Sequence, residues 1–142
     1  MVGQSVESVL IPLIRKVDAV VVRVPDLDQG LAFYRDHLGH SLLWRTEDSC
    51  GLAMSGSDTE LVLSTRLGPE TDLLVESAEV AARRFEAGGG RILAGPDEIQ
   101  TGRVVVVADP FGNRLVLLDN SKGTLMVDET GTVTGVGGGG EG

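Results

Sequence analysis

The sequence predicts an α+β domain built from two βαβββ modules, whose curved mixed sheets surround a concave pocket, and three observations lead there. An extended apolar run reaching Val24 is followed by Pro25-Asp26-Leu27, which opens an amphipathic helix that stops at Gly39. The segment Asp72-Leu73-Leu74-Val75-Glu76 repeats the theme and runs into a second helix ending at Gly88. Each half then continues into three further apolar runs at strand spacing, so a unit of one helix and four strands recurs with a period of roughly 50 residues. The chain divides into a lead-in over residues 1–14, a main domain over 15–120 with module one at 15–66 and module two at 70–120, and a C-terminal hairpin with a Gly-rich tail over 121–142.

Each element has a local reason. Pro12 breaks any helix in the lead-in and suits an extended path. From Val17 to Val24 β-branched residues dominate, which favours a half-buried strand, and Pro25 ends its ladder. Asp26 is placed as an N-cap, and Leu27, Leu31, Tyr34 and Leu38 recur at helical spacing, leaving Asp28, Gln29 and Arg35 in water. Gly39 is positioned for the left-handed C-terminal turn. Strands follow near 40–46, 50–54 and 59–65, separated by Glu47-Asp48-Ser49 and Ser55-Gly56-Ser57-Asp58, both turn compositions. In the second half Val80, Arg84 and Phe85 share a helix with Ala81 and Ala82, whose small side chains permit close packing on a sheet, and Gly88-Gly89-Gly90 ends it. Strands then fit 91–94, 102–108 and 114–119. A hairpin pairs Thr124-Leu125-Met126-Val127 with Thr132-Val133 about Thr130-Gly131, and Gly137 to Gly140 have no side chains to pack.

Size and charge bound the function. A chain of 142 residues suits one domain with a substantial core rather than two independent ones. With 12 Lys and Arg against 21 Asp and Glu, the net charge of −9 repels phosphate backbones, and the few aromatics give bases no stacking platform, so nucleic acid is not expected as a partner. The run Val9-Leu10-Ile11-Pro12-Leu13-Ile14 is too short to span a membrane, and no basic residue precedes it as in a signal peptide. Cys50 is alone and reads as a buried small hydrophobe, consistent with a reducing compartment. The expectation is a cytoplasmic protein without a membrane partner.

The stretch Val22-Arg23-Val24-Pro25-Asp26-Leu27-Asp28 through Ala32-Phe33-Tyr34-Arg35-Asp36-His37-Leu38-Gly39 resembles the first-module signature of the glyoxalase/bleomycin resistance protein/extradiol dioxygenase (vicinal oxygen chelate) superfamily. Asp109-Pro110-Phe111-Gly112-Asn113 resembles its final turn. The likeness covers about residues 17 to 120 and implies the fold more strongly than any activity, because one scaffold hosts metalloenzymes and metal-free drug-binding proteins. Family metalloenzymes hold a divalent metal on the first and last strands of the modules. Carried onto this chain, those positions fall at Ala19, Val62, Glu70 and Val116. Ala and Val offer no lone pair, and neither His37 nor His40 stands at a ligand position, so no metal and no cofactor is expected.

Strand parity places residues in step with Ala19 towards the concavity, including Val21 and Arg23, Glu60 and Ser64, Asp72, Leu74 and Glu76, and Arg114 and Leu118. Trp44 and Met54 are expected on middle strands as an apolar wall. The expected ligand-binding set is thus Arg23, Trp44, Met54, Glu60, Glu76 and Arg114; no catalytic residue is assigned. The bland readings stand beside it: Arg23 and Arg114 as rim residues paired with Glu76 or Glu60, and Trp44 and Met54 as core. Three functions compete. The first is a metal-independent small-molecule binding protein, for which the resemblance implies drug sequestration in a homodimer. The others are a glyoxalase- or dioxygenase-like enzyme (lyase, isomerase or oxygenase) with an atypical or incomplete metal site, using Glu60, Glu70 or Glu76 as base, and a non-catalytic structural or regulatory module.

Overall fold

The computed structural model describes residues 11–138; the expectations for 1–10 of the lead-in and 139–142 of the tail lie outside the described residues. Module one runs β1 (Lys16–Arg23), α1 (Leu27–Leu31) continuing as a π-helical turn (Ala32–His37), β2 (Leu42–Arg45), β3 (Ser49–Leu52) and β4 (Glu60–Ser64). Module two repeats it as β5 (Glu70–Leu74), α2 (Ala78–Ala87), β6 (Arg91–Ile99), β7 (Gly102–Ala108) and β8 (Arg114–Leu118). The strands form one mixed sheet in the order β2-β3-β4-β1-β5-β8-β7-β6, with the modules joined where β1 and β5 run antiparallel. The two modules thus pair within the chain along the β1–β5 seam. Among the described residues no helix is long and apolar enough to cross a membrane.

The helices cover one face of the sheet and split the core in two. Asp26 caps α1 by accepting from the Asp28 amide at 2.8 Å. Leu27 and Leu31 then pack with Val24, Cys50, Leu52 and Leu63. Gly30 lets the helix sit close, because a Cβ there would meet Leu63 at 3.0 Å and Val24 at 3.1 Å. The wider π-type bond from Leu38 N–H to Phe33 C=O (3.0 Å) unwinds the helix before Gly39, whose φ of 89° makes the left-handed stop. Ser77 caps α2, which presses Ala78, Ala81 and Ala82 onto Val75, Val105, Val107 and Leu117. Each fully buried Leu, such as Leu31, Leu52, Leu63 or Leu117, contributes roughly 2 kcal/mol of transfer free energy.

Three strand boundaries differ from the sequence reading. β6 extends to Ile99 rather than stopping near 94; it is the sheet edge, so Pro96 removes no interior ladder bond, and register shifts absorb Gly95-Pro96. β3 ends at Leu52, leaving Met54 beyond it, and Trp44 lies on β2, an edge strand rather than a middle one. The C-terminal hairpin is longer than expected: β9 (Thr124–Val127) pairs with β10 (Val133–Gly137), drawing Gly135 and Gly137 into a ladder. Its turn is held by Asp128, which accepts from the Thr130 and Thr132 amides.

That hairpin crosses the open face of the sheet as a strap. At its start the Lys122 amide donates to Thr101 C=O (2.8 Å), and at its tip the Arg45 amide of β2 donates to Gly131 C=O (2.8 Å). It thus ties the end of module two to the outer strand of module one.

Candidate functional site

Opposite the helices, beneath the strap, lies a hollow of about 850 Å³. Its floor comes from β1, β4 and β5 through Asp18, Ala19, Val21, Glu60, Val62, Ser64 and Asp72. Leu43 and Trp44 of β2 wall one side, Ile99 to Thr101 and Leu118 the other, and Thr124, Leu125 and Val127 of β9 roof it.

Register decides which side chains meet. Ala19 pairs with Glu60 on one side and Asp72 on the other, and Asp72 pairs in turn with Val116. The four strand positions that converge at the centre are therefore Glu60, Ala19, Asp72 and Val116. This corrects the alignment at Val62 and Glu70: both instead pair with Val21, one row further along. The physical reason is that β1 and β4 are parallel while β1 and β5 are antiparallel, and counting from turn motifs cannot fix where either ladder starts. Two of the four central positions thus carry carboxylates.

The small Ala19 side chain leaves a gap between those carboxylates. Two strand spacings separate the Glu60 and Asp72 backbones, about 10 Å. Glu60 accepts from the Trp44 indole N–H at 2.6 Å. The indole reaches it across β3 only because residue 51 is glycine; a Cβ there would overlap the Trp44 ring and stand 2.8 Å from Glu60 Oε1. Asp18 joins the floor although parity would turn it to the helices, since the β1–β5 register shifts between Val17 and Ala19 and re-aims it.

Charge in the hollow is one-sided. Its remaining ionic lining, Asp48 and Arg66, is an exposed rim pair at 3.2 Å. Among the described residues no further cation lines the hollow beside Asp18, Glu60 and Asp72, and burial is the largest influence raising the pKa of each. For Asp18 the charge of Lys16, and for Glu60 the Trp44 hydrogen bond, works against the rise. Asp72 is pushed up to about 8 by burial, then by Glu70 beside it and by Asp18. Among the described residues its buried Oδ1 has no hydrogen-bond partner, which fits a carboxyl that keeps its proton.

Of the expected ligand-binding residues, Trp44 and Glu60 line the hollow, whereas Arg23, Met54, Glu76 and Arg114 do not. Arg23 and Arg114 share the concave parity but stand exposed, at the end of β1 and the start of β8, and Glu76 is exposed beyond β5. Parity is a local rule, and it fails where the strand has run past the curve of the sheet. Sequence reasoning left Asp18 out because the bulge carries no sequence signature, and left the strap out because nothing local says what a C-terminal hairpin covers. Asp72, by contrast, was within reach of parity.

The residues present do not fit the divalent metal of the family's enzymes. Ala19 and Val116 supply no donor, which leaves only the Glu60 and Asp72 carboxylates at the four central positions. Among the described residues no group of three or more His, Cys, Asp or Glu could hold a metal ion. Cys50 lies in the helix-side core, fully buried, with burial pushing its thiol pKa up, which is the environment of an inert thiol.

Comparison with known proteins agrees with this architecture. The chain is 34% identical over 107 residues to an uncharacterized protein of Mycolicibacterium smegmatis, covering 71% of this chain and 90% of the relative. Among solved structures, methylmalonyl-CoA epimerase from Mycobacterium tuberculosis superposes with a TM-score of 0.62 at 21% identity, over 78% of this chain and 91% of that one. The Streptomyces coelicolor methylmalonyl-CoA epimerase in complex with 2-nitronate-propionyl-CoA gives 0.61 at 16% identity, over 76% and 99%. At these identities the structures speak for the fold alone. The sequence profile of the Glyoxalase/Bleomycin resistance protein/Dioxygenase superfamily matches residues 16–117, spanning both modules, and the chain belongs to that superfamily.

Proposed function

We propose that this chain is a small-molecule binding protein that works without a metal, holding its ligand in the hollow beneath the strap. The observation that carries the reading is the central row Glu60-Ala19-Asp72-Val116, where two of four positions cannot donate to a metal while the pocket around them remains open and roofed. A volume of about 850 Å³ lies in the range of pockets that bury drug-sized ligands. Sequestration of such a compound is the simplest use of a site with this lining. The same reading takes the chain as a cytoplasmic homodimer, since β2 and β6 end the sheet with Leu43 and Leu93 exposed; a monomer by light scattering at micromolar concentration would remove the dimer.

The test is a thermal-shift screen of small organic compounds run with and without a chelator. Hits that raise the melting temperature equally in both conditions support the reading, and their contact with Trp44, the single tryptophan, should change its fluorescence. Hits abolished by the chelator, or about one transition metal per chain on elemental analysis of gently purified protein, would overturn it.

A second reading, an acid–base lyase or isomerase, is favoured by one observation: Asp72 faces the hollow with its pKa at about 8, so it holds a proton that could be donated to a bound substrate near neutral pH. Covalent change of a screening hit on incubation with the protein, lost in Asp72→Asn, would select it over simple binding.

A further inference from the structure

We infer that the hollow selects an organic cation, a primary amine or guanidine on an apolar body, with its head over Ala19 between Glu60 and Asp72 and its body beneath the strap. The inference rests on the reading of the hollow as a ligand site and names the chemistry of what fills it.

Geometry separates an organic cation from a bare metal ion. A divalent metal at the centre of this row would need several oxygen or nitrogen donors around it, and Ala19 and Val116 supply none, whereas a cationic head group needs acceptors on only part of its surface. An ammonium or guanidinium carried on an apolar body can donate N–H bonds to the carboxyl oxygens of the floor while its carbon fills the hollow, which a bare ion cannot do. Asp18, re-aimed by the bulge, lies beside the same floor. The rim cation Arg66 is already paired with Asp48, and among the described residues no other Lys or Arg lines the hollow. Asp72 holds a proton at neutral pH and can meet the head group only through its carbonyl oxygen, so the attraction for an ammonium and the repulsion of a carboxylate come from Glu60 and Asp18. Above the floor the lining turns apolar, with Leu43, Ile99, Leu118, Leu125 and Val127 ready to cover carbon. Leu125 and Val127 belong to the strap, which lies beyond the residues 16–117 matched by the superfamily profile.

Three probes with one skeleton make the test: phenylbutylamine, phenylbutanol and phenylbutanoate, titrated calorimetrically into the full chain at neutral pH. The amine is expected to bind at least about tenfold more tightly than the alcohol, a difference of about 1.4 kcal/mol, and the carboxylate not at all. Glu60→Gln, and independently Asp18→Asn, should shrink the ratio of amine to alcohol affinity towards one; two variants guard against one that fails to fold. Equal binding of amine and alcohol, or tighter binding of the carboxylate, would overturn the cation assignment and leave the hollow as a ligand site. Binding by none of the three would count against both.

Discussion

The two modules share one βαβββ plan, yet their equivalent positions carry opposite chemistry. Ala19 and Asp72 face each other across the antiparallel β1–β5 seam and so occupy matching places. Glu60 and Val116 match in the same way through the two parallel pairs. One module contributes an alkyl group where the other contributes a carboxylate, at both positions. Counting three residues further along each final strand, Leu63 of module one corresponds to Asp119 of module two. Leu63 is fully buried in the α1 core. Asp119 is buried as well, but it accepts from the Ala78 amide (2.7 Å) at the start of α2, the Arg103 amide (3.0 Å) of β7, and the Ser121 amide and hydroxyl. The difference teaches that a duplicated scaffold is held by backbone pairing, which is indifferent to side chains, and that each module can then spend matching positions differently. Module one uses its last strand to pack a helix; module two uses it to tie helix, sheet and strap together.

The sharpest way to break this contrast is Asp119→Leu, which copies module one into module two. It strands the Ala78 and Arg103 amides without their acceptor and should cost roughly 3 kcal/mol. Gly102 leaves the space Asp119 occupies, so the bulkier Leu has little room to recover that loss. A urea denaturation midpoint within error of the parent would show that the tie carries no stability.

Acidity offers a second break, because the buried carboxylates respond in opposite directions. Burial works against the charge of Asp119, but its donors outweigh burial and hold its pKa below the ordinary value. It therefore contributes stability above the ordinary Asp range, and that stability fades as pH falls below it. Asp72 is raised from 3.8 to about 8, so between those values the folded chain keeps a proton that the unfolded chain has released. Its effect is a loss of stability as pH rises from about 4 to about 8, with no further loss above. Asp72→Asn should flatten that window and leave the acid limb intact. Unfolding midpoints across pH that keep the parent slope in the variant would assign the slope to other groups.

The smallest expected effect sharpens the pocket itself. Trp44→Phe removes the donor to Glu60 and should cost about 1 kcal/mol. The Glu60 carboxyl, raised by burial and eased by that bond, should then titrate still higher. A carboxyl carbon NMR titration reads this directly, and an unchanged or lower value would show that the indole does not stabilise the carboxylate.

Much of the fold was written in local pattern. Asp26 and Ser77 begin helices because a short side-chain oxygen caps free amides, Gly39 ends one because it tolerates positive φ, and the β-branched run from Val17 to Val24 prefers an extended path. These are contests between neighbours in the chain, and the sequence by itself settles them, together with the repeat that makes two modules of one plan. The site was only partly legible. Glu60 and Asp72 could be read from alternation and Trp44 was expected on a middle strand, but Asp18 faces the hollow through a bulge, Gly51 matters because an indole from the next strand crosses it, and the strap becomes a roof only by reaching Arg45. Which row of the sheet meets at the centre was likewise decided by tertiary structure, since ladder register is a relation between distant strands. A two-residue slip preserves alternation while exchanging Val62 and Glu70 for Glu60 and Asp72. The sequence therefore determined the scaffold, and only the assembled sheet determined which side chains meet in its hollow.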